Sequence, residues 1–466
     1  MPTGASAILT EGARLLARAE PAIAARLNGL AQALALRSWN VLVSGLCSVG
    51  KSSVVCALWG DAELLPTAVR DCTQTNTLIR RPADGESDRR ILLHYLEWRA
   101  AENFALKGLA VHRLLEMLQE YHGLAMPRLD ELPPDARLRF VAADAERLYA
   151  SRRDLMVLNE PLTDELEQLK DFIAFLDSPE YRPGEAVEAQ WDERREHLMG
   201  KRLLDGRLAG TGKLMALEHV ELVSATHWRP GRDLPVPAVI DTPWIPALHN
   251  ARRQELILAQ ARAADVLLVL TLPQAFQPEP WLLAILKERP DLRRSTIVVF
   301  NQIDTCDPRT LFSRDGFLGT FAENREQLEK LGLDPANMLT ACSRLRFLQD
   351  SQKSDTGRQS KLPFGTSALS ERIARLEKTL GQLREQGRSR PDSDFKTMLM
   401  AACDVNDAGI ETLRRRMEEL AAGVVARRRT SEALDALLAF EAVDLPPDVN
   451  AKWSELRLAA SGLKRS

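Results

Sequence analysis

The chain has 466 residues, 45% of them hydrophobic and 27% charged, a length that accommodates two or three domain-sized units. Its 62 Lys and Arg against 65 Asp and Glu leave a formal charge of -3, which removes the global basic signature of a nucleic-acid coat or a polybasic membrane binder. The most apolar runs, such as Val266 to Leu272, fall far short of the roughly 18 to 20 residues that span a bilayer. Glu11, Arg14, Arg18 and Glu20 interrupt any secretory h-region, so a cytoplasmic protein is expected.

In chain order, residues 5–36 carry Leu16, Ile23, Leu27, Leu30 and Leu34 at helical spacing and predict an amphipathic helix bent at Pro21. Asn40 to Ser44 breaks that period with a β-favouring run that ends in Gly45, as a buried strand entering a tight loop does. Further buried strands are predicted at Arg90 to Tyr95, Val220 to Ser224, Val236 to Ile240, Val266 to Leu272 and Thr296 to Phe300. Their alternation with helical patterns predicts an α/β fold with a mostly parallel sheet. From about 97 to 217 the sequence is Leu-, Glu-, Arg- and Ala-rich, and reads as a helical insertion, since a structureless connection of that length is improbable in a compact domain. Residues 349–395 turn polar and read as an exposed linker; 396–466 resume helical periodicity at Ile410, Leu413, Met417, Leu420 and Val424. Residues 1–37 and the C-terminal helices are expected to pair as a short neck beside an α/β unit over 38–348. The six cysteines form no CxxC pair and none has zinc-like spacing to histidine, so reduced thiols are expected and no transition metal.

Three short motifs carry chemistry. Gly45-Leu-Cys-Ser-Val-Gly-Lys51-Ser52 matches GxxxxGK[ST] between a predicted strand and a helical run. Gly45 and Gly50 let backbone N–H groups face inward around a phosphate, Lys51 adds charge near the β and γ phosphates, and the Ser52 hydroxyl suits Mg²⁺. Gly45, Ser48, Val49, Gly50, Lys51, Ser52 and Ser53 are therefore the expected phosphate contacts. Gly210-Thr-Gly-Lys213 lacks both the spacing and a preceding strand, and reads as a plain turn. Val239-Ile-Asp241-Thr-Pro-Trp244 ends a β run in an aspartate, as a Walker B strand does, and makes Asp241 a second metal-side residue. Asn301-Gln-Ile-Asp304 ends another apolar run as an NxxD element. A carboxylate at Asp304 can accept from both N1–H and N2–H of guanine, a donor pair that adenine does not offer.

With these motifs in order, the chain resembles the dynamin-like large GTPases, most closely the bacterial ones, from about 38 to 428. The resemblance extends to Leu64-Leu-Pro66, Asp71-Cys-Thr73 and Leu78-Ile-Arg80 as the switch I segment, to Ala264-Asp-Val-Leu-Leu-Val-Leu as the next strand, and to Met338-Leu-Thr-Ala-Cys-Ser343 as the last base-contacting loop. It implies that Thr73 meets Mg²⁺ and the γ-phosphate, with Thr75 and Thr77 as alternatives in the same cluster. It also implies GTP and GDP as ligands, Mg²⁺ held by Ser52, Thr73 and Asp241, and catalysis by Ser48, Lys51 and Thr73. Nucleotide contacts would extend to Trp244, Asn301, Asp304 and Ser343. Partners would be a second copy across the GTPase face or a longer dynamin-like protein; nucleic acid is not expected, and peripheral membrane contact has no sequence support.

The chain departs from the family pattern at four points. Trp244 stands where DxxG has glycine, so slow hydrolysis or an unusually positioned switch II is expected. Gln302 replaces the lysine of NKxD and loses a stem that packs over the base. Cys47 occupies a catalytic-loop position and apolar Ile245 follows switch II, so no Ras-type glutamine is evident there. After Arg428 little sequence remains for a lipid-binding tip, and the stalk is expected to be short. Six arginines between Leu413 and Arg429 are expected on a solvated, salt-bridged helix face, with anionic lipid or a partner as the other use. The leading expectation is a Mg²⁺-dependent GTPase; the alternatives are a catalytically weak nucleotide-gated interaction module and an ATP-using P-loop enzyme.

Overall fold

The computed structural model describes residues 4–36, 39–45, 48–65, 75–108, 170–199, 201–202, 208–209, 211–231, 234–242, 251–273, 276–307, 309, 313, 316–354, 366–388, 393–440 and 445–465. Its centre is a nine-stranded sheet built from β1 (Asn40–Gly45), β2 (Thr77–Arg80), β3 (Arg90–Tyr95), β4 (Ala186–Ala189), β7 (Leu217–Val223), β8 (Ala238–Asp241), β9 (Val266–Thr271), β10 (Thr296–Phe300) and β11 (Met338–Thr340). Between β4 and β7, β5 (Lys201–Arg202) and β6 (Leu208–Ala209) form a separate two-stranded ladder. The order across the large sheet is β11-β10-β9-β1-β8-β2-β7-β3-β4.

The five strands from β11 to β8 run parallel, which requires crossovers on both faces. Each residue of β9 and β10 is buried, which explains their unbroken apolar sequence. Beyond β8 the sheet changes character: β2 pairs with β8 antiparallel and with β7 parallel, and β3 pairs antiparallel with β7 and β4. There burial alternates, with Ile91, Leu93 and Tyr95 turned into the core from β3. The edge strand β4 is half-exposed and carries Glu188 on its open face, a charge that discourages edge pairing.

Two apolar layers cover the sheet. One joins Val41, Val43, Ile79, Val220 and Leu268 to helix α3 (Lys51–Trp59) and to the Ile410–Leu420 helix. The other joins Leu42, Ile240, Leu267 and Phe300 to the Ala251–Ala263, Pro280–Glu288, Phe317–Lys330 and Thr366–Arg388 helices. A third core is purely helical. Helices α1 (Ala5–Leu16) and α2 (Pro21–Leu36) pack with the Ala426–Leu438 and Pro447–Arg465 helices around Leu9, Leu16, Leu27, Leu434, Leu437 and Trp453.

Several sequence expectations change. Residues 5–36 are two helices rather than one bent helix: Pro21 opens α2, where a missing N–H costs nothing, and a turn at 17–20 separates the two. The stretch 349–395 is not simply a linker, because it contains the end of the Ser343–Ser354 helix, the whole Thr366–Arg388 helix and the start of Ser393–Ala402. Leu369, Ile373, Leu380 and Leu383 form a buried stripe in the second of these, hidden in sequence by the many charges around them. The insertion over 97–217 holds α4 (Trp98–Gly108) and short helices, but it also supplies β4 to the main sheet; its residues 109–169 lie outside the described residues. Around Gly210-Thr-Gly-Lys213, Thr211–Met215 is a short helix rather than a plain turn. No described helix is long and apolar enough to cross a membrane.

Candidate functional site

The predicted motif residues meet at the C-terminal ends of β1, β8 and β10, where open α/β sheets place their ligand crevices. β1 ends at Gly45, whose φ of 145° and 2.2 Å approach of a built Cβ to the Leu270 carbonyl exclude any side chain. Gly50, at φ 87°, turns the chain into α3, and a Cβ there would stand 2.6 Å from the Asn301 amide nitrogen. Both positions need glycine for geometric reasons. Because α3 begins at Lys51, its first N–H groups have no acceptor within the helix and add a positive dipole end to the loop.

Lys51 is buried and its Nζ donates to the Gly45 carbonyl at 2.9 Å, which holds the ammonium across the loop. The Ser52 hydroxyl donates to Asp241 Oδ2 at 2.8 Å, and Asp241 is fully buried at the end of β8. One hydroxyl and one carboxylate, both hard oxygen donors, match Mg²⁺, which keeps several waters and takes its remaining ligands from phosphate. Thr77 lies opposite Asp241 in the β2–β8 register, and Thr75 is buried two residues before it. Thr73, the preferred switch threonine, and Trp244 lie outside the described residues.

Asn301 follows β10 and is fully buried. Its amide nitrogen donates to the Val49 carbonyl at 2.7 Å and to Ser343 Oγ at 2.9 Å, while its amide oxygen accepts from the Ser343 N–H at 3.1 Å. One side chain thus joins the phosphate loop to the loop after β11. Gln302, in a left-handed backbone conformation, donates from Nε2 to the Ser48 carbonyl at 2.5 Å. The residue read in sequence as a lost lysine stem is therefore a second brace on the phosphate loop, and Ser48 itself is exposed at φ 60°.

Asp304 occupies the short turn that follows, Ile303–Thr305, with its side chain only 4% exposed. Cys342 Sγ donates to its Oδ1 at 3.2 Å, and the Arg344 guanidinium lies 3.8 Å from Oδ2. Burial, with the Asp304 charge beside it, pushes the Cys342 thiol well up, so it remains a thiol donor.

Three features of the site were not read from sequence. Glu279, in the loop after β9, accepts from the Trp281 indole at 2.7 Å; burial raises its carboxyl, partly countered by the charge of Lys51. Arg414 is buried and caps the C-terminal end of α3, donating to the Leu58 carbonyl at 3.1 Å through Nε and to the Ala57 carbonyl at 3.1 Å. Its guanidinium also lies 5.7 Å over Trp228, whose indole donates to Glu418 at 2.8 Å. Arg428 and Arg429 close on Asp265, just before β9, with Arg428 also 2.9 Å from Asp291. Four of the six arginines in the run, Arg414, Arg416, Arg428 and Arg429, therefore bond to remote segments, Arg416 Nε donating to Asn337 Oδ1 at 2.8 Å, so the run is not simply a solvated face. No sequence signal separates a capping arginine from a surface one, because the partners are carbonyls and a distant aspartate.

No protein-family model matches the chain, and no curated protein does. Among the solved structures that resemble it are two described as an oligomerised bacterial dynamin pair that provides a mechanism for the long-range sensing and tethering of membranes. One is 13% identical over 99% of this chain and 73% of its own, with a TM-score of 0.37. The other is 13% identical over 92% of this chain and 54% of its own, with a TM-score of 0.39, so this chain spans about half its length.

Proposed function

We propose that this chain binds guanine nucleotide at the Gly45–Ser53 loop and hydrolyses GTP to GDP and phosphate, with nucleotide-dependent self-association of the dynamin-like type. The observation that carries the reading is Asn301, whose buried amide makes the phosphate loop and the base-reading loop one hydrogen-bonded unit. Support comes from the chain's own residues. Lys51 supplies charge to the β and γ phosphates, and the backbone N–H groups at the start of α3 would donate to phosphate oxygens. Ser52 and Asp241 would hold Mg²⁺, which neutralises charge that develops on the phosphate oxygens. Asp304 would accept from guanine N1–H and N2–H after exchanging its contact with Arg344.

For hydrolysis, Ser48 at the exposed tip of the loop and the switch threonine, Thr73 or its neighbours, are the groups assigned to orient the attacking water. Trp244 in place of glycine favours a second reading, a slow nucleotide-gated module that partners a longer dynamin-like protein. Location in the cytoplasm belongs to the same proposal. Phosphate release from GTP, measured across protein concentration, tests both. Specific activity that rises with concentration supports hydrolysis stimulated by self-association. A flat, near-zero baseline with tight GTP binding supports the module, and release from ATP at an equal rate contradicts the guanine assignment.

A further inference from the structure

We infer that His94, His219 and Glu221 form a binding site for a Zn²⁺-class dication on the β3–β7 strand pair, apart from the nucleotide crevice. β8 and β2 separate these strands from β1, so the cluster is not an extension of the phosphate loop. Register brings it together: His94 lies opposite His219, and Leu92 lies opposite Glu221, so all three ligating side chains leave the same face of the sheet. The two imidazoles stack at 4.1 Å with their planes 14° apart. His94 Nε2 is 2.9 Å from Glu221 Oε2, and one donor atom from each residue lies within 4.8 Å of the others. Donors on one tetrahedral zinc stand about 3.4 Å apart, so small side-chain rotations close the set.

The surroundings hold the carboxylate in place. Arg80 Nε donates to Glu221 Oε1 at 2.5 Å, which leaves Oε2 facing the histidines. The charge of Arg80 is itself matched by Glu86, at 2.5 and 2.8 Å, and Glu86 also accepts from Arg90 at 2.9 Å. Such a partner behind a ligating carboxylate fixes its orientation. Among the described residues, His219 Nδ1 is buried with no hydrogen-bond partner, although buried polar atoms are ordinarily satisfied. Two imidazoles and one carboxylate favour Zn²⁺, Co²⁺ or Ni²⁺ over the all-oxygen ions Mg²⁺ and Ca²⁺, and three protein ligands leave a position for water. A bound ion would pin β3 to β7 and stabilise the folded state by mass action.

The test uses untagged, chelator-stripped, nucleotide-free full-length protein titrated with Zn²⁺ by calorimetry and with Co²⁺ by visible absorption. One equivalent should bind, Co²⁺ should show the intense bands of a low-coordinate site, and Tm should rise. His94→Gln and His219→Gln should each weaken binding by at least about tenfold. Ser52→Ala, which alters the nucleotide crevice, should not change it. If His219→Gln fails to fold, His94→Gln alone decides, because His94 is partly exposed. No binding at micromolar metal, or binding that persists in the His94→Gln/His219→Gln double variant, overturns the site.

Discussion

Replacing Asn301 by alanine separates the two jobs assigned to the nucleotide crevice. The change deletes three hydrogen bonds, to the Val49 carbonyl, to Ser343 Oγ and to the Ser343 N–H, at a fully buried position. At about 1 kcal/mol each, the loss of folding stability should be about 3 kcal/mol. Only the bond to Val49 acts directly on the phosphate loop. Its removal, with a carbonyl left unmet, is worth about 1 to 3 kcal/mol of loop ordering, or roughly a fivefold to hundredfold loss of nucleotide affinity. Because that loss falls on the phosphate side, GTP, GDP and ATP should weaken together, with the ratio of GTP to ATP affinity unchanged. Urea unfolding gives the stability term, and titration with fluorescent nucleotides gives the affinities. Unchanged GTP affinity in a folded variant would refute the brace. So would a loss confined to guanine nucleotides, which would make Asn301 a base reader only.

Arg344→Ala should speed association of GTP and tighten binding by up to about fivefold, since a half-exposed ion pair is worth at most about 1 kcal/mol. Slower association in stopped flow would instead make Arg344 a base contact. His219 gives a pH dependence. Burial and the nearby His94 lower its pKa to about 4, against about 6.5 for an unfolded histidine. Between those values the unfolded chain binds more protons, so the stabilisation is complete above pH 6.5 and is lost as pH falls toward 4, by up to about 3 kcal/mol. The difference in unfolding free energy between wild type and His219→Gln should therefore vary across that window; a flat difference would contradict it.

The sheet was legible where burial is two-sided or strictly alternating. β1, β3, β9 and β10 are apolar or cleanly alternating, and their limits fall within a residue or so of expectation. β2 and β4 were not, because a four-residue strand has too few residues to establish a period. The Thr366–Arg388 helix was missed for a different reason. Its buried leucines and isoleucine are spaced for a helix, but polar sequence on both sides dominates the composition. In the crevice, Gly45, Gly50, Lys51, Ser52, Asp241, Asn301 and Asp304 announce themselves because backbone reversal and phosphate chemistry restrict the residue type at each spacing. Gln302, Arg344 and Arg414 do not, since each acts through a carbonyl or a carboxylate supplied by a remote segment, and Glu279 does not because nothing in its own sequence marks its burial beside the Trp281 indole.

The central claim is that Asp304 reads guanine, and an exchange of hydrogen-bond pattern tests it most directly. Asn at this position keeps one acceptor for N1–H and replaces the second with an N–H₂ donor, which opposes the guanine 2-amino group but matches the 2-oxo group of xanthine. Fluorescent-nucleotide titration of wild type should favour GTP over both ATP and XTP. Asp304→Asn should lose GTP affinity and gain XTP affinity, with the order of the two reversed. Equal affinities for GTP and ATP in wild type, or undiminished GTP binding by Asp304→Asn, would contradict the assignment.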